Sequence, residues 1–592
     1  MTTTSTPVED LRDLELLTLA EWHASEAITR LVGDDDPLVA LAVALATRAV
    51  RQGHVCLELD RLVEQGLVAD DGSPIDLALP ALPEWRASLA ASPAVRQPTD
   101  DHAAPLVLDA NRLYLDRYWR HEQRLADGLL AAFGHIDDRD PDDVANVLDT
   151  LFDQGPETDM QRRACDLVTQ SRLTVLTGGP GTGKTTTVVR MLAVLAATAR
   201  QDAPPRMVLA APTGKAAARM MDTVREGADA LPVDDKVTAA LGQIEASTLH
   251  RLLGANPSRS TRFRYDATNP LPYDVVVVDE ASMVSLPLMA RLVDALDASA
   301  RLVLVGDREQ LVSVDAGAVL ADVAAGGRLA SSQIHLTHTF RFGAESGISH
   351  ISRAIERGDA DEVLAAFDGR FDDVHLVSPT DGALDAVVWE MMIERGRRLQ
   401  TLASDGAAPA EVLRATDAFR VLAPLRRGPM GVEALNRRIA AALAAEFTPV
   451  GSRGHEAGLA PAVGTPVIVT RNDHAQRLYN GDVGVVVHAD RPSRRALAFW
   501  DAGGDVRLIA LARLPRHELV HAMSVHRSQG SQFDEVVVVL PAVDTPLLTR
   551  ELIYTAATRA RCGMTVVASE DVLRHAIGRR VQRASGLRSR LA

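Results

Sequence analysis

The stretch Gly178-Gly179-Pro180-Gly181-Thr182-Gly183-Lys184-Thr185 decides how the rest of the chain is read. It fits G-x-x-x-x-G-K-[ST], the pattern of a phosphate-binding loop. Leu173-Thr174-Val175-Leu176-Thr177 before it reads as a short buried strand, and Thr186 to Leu195 after it reads as a helix. Strand, loop and helix in that order are the context the pattern requires. The glycines let the backbone curl around phosphate oxygens without Cβ clashes. The amides then point inward, and the helix N-terminus adds positive partial charge. Lys184 is placed to reach the β- and γ-phosphates of a nucleotide, and the Thr185 hydroxyl to hold Mg²⁺. A plain glycine turn before a helix would not need the lysine and threonine at these positions.

At 592 residues the chain has room for several domains. It is 46% apolar and 24% charged, the balance of a globular protein. No apolar run reaches the roughly 18 residues of a membrane span, so no membrane is expected as a partner. Met1 to Asp13 is polar and acidic, unlike a signal peptide, and the expected location is cytoplasmic. Cys56, Cys165 and Cys562 are far apart and form no C-x-x-C pair, which indicates neither a disulfide framework nor a metal cluster. The net charge of −16 argues against a surface that coats nucleic acid non-specifically. It leaves room for a segregated basic groove. Of 63 basic residues only Lys184, Lys215 and Lys236 are lysine, and the first two lie in motifs. A compact ammonium is wanted there, which a planar guanidinium does not replace.

Taken in order, residues 1 to about 120 read as mostly helical, with Leu106-Val107-Leu108 and Arg112-Leu113-Tyr114-Leu115 alternating as a hairpin. His23, His54 and His102 are scattered and read as structural or surface residues. Asp137 to Asp149 is acidic and reads as a solvated linker or helix face. From Glu157 strands and helices alternate. Met207 to Ala211, the four valines Val275 to Val278, and Arg301 to Val305 read as buried parallel strands of a doubly wound α/β core. Phe419 to Ala423, Val536 to Leu540 and Met564 to Val567 read as a second such set. The Gly/Val-rich segment from Thr448 to Pro515 reads as a small antiparallel β-barrel inserted in the second core.

Asp279 and Glu280 end the valine strand, where an open α/β sheet places its ligand. Asp279 is read as acting on Mg²⁺ and Glu280 as orienting and deprotonating the attacking water. Gln310, in Gly306-Asp307-Arg308-Glu309-Gln310, closes the next strand and can hydrogen-bond both the γ-phosphate and that water. Thr213 and Lys215, at a strand end and helix start, can meet a nucleic-acid phosphate, as can Ser247-Thr248-Leu249-His250. Arg341 and Arg559 are the arginine-finger candidates, reaching the γ-phosphate from the second core. Such an arginine supplies roughly 10³ to 10⁵ in phosphoryl-transfer rate.

The order of these motifs resembles that of superfamily 1 helicases, and within them the RecD family, the alpha subunits of exodeoxyribonuclease V (RecBCD) enzymes. The resemblance is carried by LTGGPGTGKTTTV from Leu176, APTGKAAARM from Ala211, STLHRLLG from Ser247, VVVVDEASM from Val275 and GDREQL from Gly306. TFRF from Thr339, VHRSQGSQFD from Val525 and LTRELIYTAATRAR from Leu548 complete the set. RQGHVCLELD from Arg51 and PLVLDANRLYLDRYW from Pro105 are also similar to RecD text.

The resemblance implies an α/β fold with two RecA-like P-loop cores, a helical N-terminal domain and a small SH3-like β insertion. The implied division is a partner-docking domain at 1–120, a linker at 121–155, a first core at 156–330 with a small hairpin near 255–272, a second core at 331–447 and 516–592, and the SH3-like barrel at 448–515. It implies ATP and Mg²⁺ as cofactors. Gln161 would read adenine. Gly178, Gly179, Pro180, Gly181, Thr182, Gly183, Lys184, Thr185, Thr186 and Gly530 would bind the nucleotide, with Thr185 and Asp279 on the metal. Lys184, Asp279, Glu280, Gln310, Arg341 and Arg559 would be the catalytic set. Thr213, Lys215, His250, Asn480, His526 and Ser528 would line a DNA strand. The implied activity is 5′-to-3′ translocation on single-stranded DNA and unwinding of tailed or blunt duplexes, within a heterotrimer with RecB-like and RecC-like subunits. Arg527, Ser524 and Gln532 depart from the family's usual lysine, threonine and glutamate. A free-standing RecD-like helicase is the alternative. A nuclease site has only Asp234-Asp235-Lys236 to rest on, and a non-translocating ATP switch is the remaining class.

Overall fold

Four consecutive valines set the architecture. In the computed structural model Val275–Val278 is a strand with every side chain buried. Val276 and Val278 join one core and Val275 and Val277 another, the alternation of a strand covered on both faces. It lies parallel between Met207–Ala211 and Arg301–Gly306. The first sheet has six parallel strands in the order Gln333–Leu336, Leu173–Gly178, Arg301–Gly306, Val275–Val278, Met207–Ala211 and Glu245–Thr248. The structure describes residues 7–592 apart from 71–72, 135, 137–138, 154, 200–203, 256–261, 341–345, 380–383, 448–461, 474, 490–494 and 501–503.

A second sheet has five parallel strands in the order Val374–Val377, Ala560–Val567, Phe533–Val539, Phe419–Ala423 and Ala522–Ser524. Between the last two in sheet order the chain leaves to build a five-stranded antiparallel sheet: Val506–Ala510, Arg495–Trp500, Val483–His488, Pro466–Val469 and His517–Leu519. This sheet has its own core of Val467, Val485, Val487, Leu497 and Phe499, packed on Val412 and Leu413 of helix Pro409–Thr416. Gly484 is required there, because a Cβ would lie 2.5 Å from the Phe499 ring. No helix among the described residues is long and apolar enough to cross a membrane.

The N-terminal region is largely helical, as read, with the expected hairpin, and its short strands extend that hairpin to a sheet in the order Leu57–Glu58, Arg112–Leu115, Leu106–Asp109 and Val95–Arg96. Strands of two to four residues are too short to show periodicity, so only the hairpin stood out. Residues 121–155 are not a bare linker. Helix Asp116–Ala132 packs on helix Leu286–Asp294 so closely that a Cβ on Gly128 would sit 2.3 Å from Val293. Helix Pro141–Leu151 buries Val144, Leu148 and Leu151 in the first sheet's core. Its acidic residues Asp142 and Asp143 occupy the first turn, where they complement the helix dipole. The acidic run is therefore the outer face and start of a packed helix.

Boundaries move as well. Strand Gln333–Leu336 carries the first sheet past residue 330, and His517–Leu519 carries the antiparallel sheet past 515. The C-terminal residues leave the second sheet. Ala584, Leu587 and Leu591 enter the core shared by the first sheet and the N-terminal region. Of the hairpin expected near 255–272, residues 256–261 lie outside the described residues; the part that follows is a turn closed by a bridge between Asp266 and Asn269.

Candidate active site at the cleft between the two parallel sheets

The loop after Leu173–Gly178 places Gly181 and Gly183 at φ of +76° and +80°, left-handed backbone that favours glycine. A Cβ on Gly183 would meet Gln161 Nε2 at 2.5 Å. Gln161 is buried and braces the loop: its Nε2 donates to the Thr182 carbonyl at 3.2 Å, and Arg190 donates to its Oε1 at 2.9 Å. The Thr182 hydroxyl donates to the Gly179 carbonyl at 2.8 Å. Lys184, first residue of helix Lys184–Ala197, donates its ammonium to the carbonyls of Gly178 and Gly179 at 2.7 and 2.9 Å. Thr185 and Thr186 follow in the first turn of that helix.

Asp279 and Glu280 extend from the valine strand to the same edge of the sheet. Glu280 has φ of +50°, a conformation that costs a non-glycine residue about 1 kcal/mol or more and collects at functional sites. Its N–H donates to Asp279 Oδ1 at 2.9 Å. Burial, and then the Glu280 carboxylate alongside, push the Asp279 carboxyl up to about 6, while Lys184 and Arg219 pull it down. A carboxylate so disfavoured on its own is relieved by a cation. The left-handed glycines, the free helix start and this carboxyl pair fit a nucleotide with its divalent cation. Thr185 and Asp279 are the residues that would hold the metal.

The second sheet supplies the opposite wall. Helix Arg550–Ala557 and the turn after it bring Tyr554, Thr555 and Arg559 to the cleft. Arg559 is buried, with Nε and one terminal nitrogen donating to the carbonyls of Thr555 and Ser531, each at 3.1 Å. Burial draws its pKa down, and Glu280 is the first group acting to hold it up. Leu311, at the end of the Gly306-to-Leu311 segment, is gripped from the second sheet: its N–H donates to Thr555 Oγ1 and its carbonyl accepts from Gln529 Nε2, both at 2.9 Å. Gln310 beside it is buried. Its Nε2 donates to Asp307 Oδ2 at 3.1 Å, and its Oε1 has no hydrogen-bond partner among the described residues. Arg341 lies outside the described residues. Phe340 before it donates its N–H to the Gly181 carbonyl at 2.8 Å.

The strand-binding candidates divide. Thr213 caps helix Gly214–Ala230 by accepting the Ala216 N–H at 3.2 Å, and Gly530, at φ +72°, faces it. Burial lowers the Lys215 pKa, against Asp417 and Asp482, which hold it up. The Asn480-Gly481-Asp482 turn of the antiparallel sheet thus comes to the same place; Asn480 is exposed, its N–H donating to Asn472 Oδ1 at 2.8 Å. His250 is exposed just past strand Glu245–Thr248, next to the strand that leads to Thr213. His526 is half-buried, its pKa lowered by burial and then by Arg583. Ser528 does not line any surface. It is fully buried, and the 3₁₀ turn His526–Ser528 directs its hydroxyl to the Val525 carbonyl at 2.7 Å.

Sequence reasoning passed over Tyr554, Thr555, Asp307 and Gln529, which stood inside quoted motifs without a role. It also missed Arg219, which donates to Gln532 Oε1 at 2.9 Å across the cleft and lies near Asp279 and Glu280. Nothing in the sequence pointed to Glu356, which joins Tyr554 at the cleft.

The chain matches three family models: an AAA domain over residues 161–316, the N-terminal domain of RecBCD enzyme subunit RecD over 13–114, and a UvrD-like helicase C-terminal domain over 519–567. It is 43% identical to a RecBCD enzyme subunit RecD of Mycobacterium tuberculosis, covering 97% of this chain and 95% of that one. A RecBCD enzyme subunit RecD of Haemophilus influenzae is 33% identical, with 98% of both chains covered. An ATP-dependent RecD2 DNA helicase of Deinococcus radiodurans is 32% identical, with 86% of this chain and 59% of that one covered.

Proposed function

Because the chain belongs to the family of RecD subunits of RecBCD enzymes, we propose that it is an ATP-driven motor subunit. It moves 5′ to 3′ along single-stranded DNA and unwinds tailed or blunt duplexes in a complex with RecB-like and RecC-like partners, in double-strand break repair and recombination. The two parallel sheets are RecA-like cores, the antiparallel sheet an SH3-like insertion, and the N-terminal region the partner-docking module. The chain matches nearly the whole of the RecD subunits but little more than half of the RecD2 helicase, which favours the subunit over the free-standing reading.

The observation that carries this reading is the meeting, in one cleft, of the phosphate loop and carboxyl pair of one sheet with the buried Arg559 of the other. Gly178 to Thr185 would hold the phosphates, and Mg²⁺ on Thr185 and Asp279 would shield their charge. Lys184 exchanges its two loop carbonyls for phosphate oxygens. Glu280 takes the proton of the attacking water, and Gln310 orients that water. Arg559 meets the charge that develops in the transition state. Because Leu311 is held by Thr555 and Gln529, closure and opening of the cleft move the second sheet against the first. Thr213, Lys215, His250, Asn480 and His526 would then grip the strand backbone alternately, without reading sequence. No nuclease site is proposed: Asp234 is engaged as the cap of helix Asp235–Gly242, accepting the Val237 N–H at 2.8 Å.

The test is a native pull-down of the full chain followed by DNA-stimulated ATPase and polarity assays on what elutes. Two larger partners in fixed ratio and unwinding from 5′ tails are expected. A chain that elutes alone and unwinds alone would overturn the subunit reading.

A further inference from the structure

Tyr554 is 1% exposed, and its hydroxyl donates to Asp307 Oδ2 at 3.1 Å. Gln310 Nε2 donates to that same oxygen at 3.1 Å, and the Glu309 N–H donates to Oδ1 at 3.0 Å. Glu356, from helix Gly347–Arg357, lies on the same side of the cleft. The group abuts the phosphate loop: a Cβ on Gly179 would lie 3.1 Å from Tyr554 Oη and 3.7 Å from Glu356 Oε1.

A phenol has one proton to give. That proton goes to Asp307, so the Tyr554 hydroxyl and the Gln310 amide dock on one and the same Asp307 oxygen. Gln310 Nε2 is thereby fixed, and its unpartnered Oε1 is the atom left to accept from another group.

We propose that Tyr554 and Asp307 form a hydrogen-bonded link across the cleft that fixes the Gln310 amide for ATP hydrolysis, making Tyr554 a positioning residue. This rests on the reading of the cleft as an ATPase site. Asp307 and Gln310 belong to one sheet and Tyr554 to the other, so the amide is set only when the two sheets are engaged.

The experiment compares Tyr554→Phe, Gln310→Ala, the variant carrying both and Lys184→Ala in the full chain with its native partners. The readouts are kcat and KM for ATP in DNA-stimulated hydrolysis. Tyr554→Phe keeps the ring and loses the hydroxyl, and its kcat is expected to fall about tenfold with KM within about twofold of the parent. Because the hydroxyl acts through Gln310, the variant carrying both changes is expected to be no worse than Gln310→Ala alone. Parent-like kcat in Tyr554→Phe, or a doubly substituted variant about a further tenfold below Gln310→Ala, would overturn the proposal. DNA-stimulated turnover surviving in Lys184→Ala would instead overturn the reading of the cleft itself.

Discussion

Two interfaces hold the first sheet, and they are built from opposite materials. Toward the second sheet, in the cleft, it is met by single hydrogen bonds between loops and helix ends: Tyr554 to Asp307, the Leu311 backbone to Thr555 and Gln529, Arg219 to Gln532. Leu311 is the side chain from the first-sheet side that enters the second sheet's apolar core. Toward the N-terminal module it is welded. Val55, Tyr114, Trp119, Leu587 and Leu591 share one core with the sheet. Fully buried Glu122 accepts from the Gly586 N–H, Ser585 Oγ and Arg590 Nε at 2.9, 3.1 and 3.0 Å. Hydrogen bonds to polar loops exchange readily for water or ligand, whereas a buried apolar core does not. The difference teaches which interface would work and which one holds: on the proposed reading the cleft parts and closes, while the C-terminal strap ties the N-terminal module to the first sheet.

The comparison breaks most sharply at the cleft. Lys184→Ala and Glu280→Gln are expected to abolish ATP turnover, and Arg559→Ala to lower it by roughly 10³ or more, as measured by phosphate release with single-stranded DNA present. The welded side should respond in stability instead. Glu122→Ala strands the Gly586 and Tyr114 donors, while Arg590 keeps Asp109, at a cost of about 1–3 kcal/mol for each buried donor left unpaired. A lowered thermal midpoint and faster proteolysis after residue 579 are expected, with turnover retained at low temperature.

A smaller effect separates the two by pH. His54 Nδ1 accepts the Ala584 N–H at 2.9 Å, so the strap needs a neutral imidazole. Burial, and then Arg583, lower its pKa from 6.5 to about 4. Between those values the unfolded chain binds a proton that the folded one does not, so this stability is present above pH 6.5 and is lost as pH falls toward 4. Thermal midpoints measured across that window should fall less for His54→Gln, which keeps an acceptor and does not titrate. The smallest expected change is Thr213→Ala. It removes a helix cap worth about 1 kcal/mol and a candidate phosphate contact, and should weaken single-strand binding without changing unstimulated ATPase.

How far the molecule could be read from its residues follows the same division. Val275–Val278 and Leu173–Gly178 were legible because both faces are covered, which forces uninterrupted apolar runs. Glu245–Thr248 was not, since an edge strand of Glu, Ala, Ser and Thr carries no such pattern. Lys184, Asp279 and Arg559 announced themselves through spacing and order. Ser528 sat in equally suggestive text, yet the local 3₁₀ turn points it inward, and no spacing rule reports that. Glu356 and the strap depend on contacts between segments some 200 to more than 450 residues apart, such as Tyr554 with Glu356 and Gly586 with Glu122, and periodicity is blind to those.

The most direct test labels three exposed positions, Ser299 beside the first sheet, Asp571 beside the second and Glu84 in the N-terminal module, with exposed Cys562 replaced by serine. Pairwise spin-label distances are measured before and after a non-hydrolysable ATP analogue with Mg²⁺. The account predicts that the Ser299–Asp571 distance shortens while Ser299–Glu84 stays fixed. A fixed Ser299–Asp571 distance, or a Ser299–Glu84 distance that moves with it, would contradict a working cleft set against a welded module.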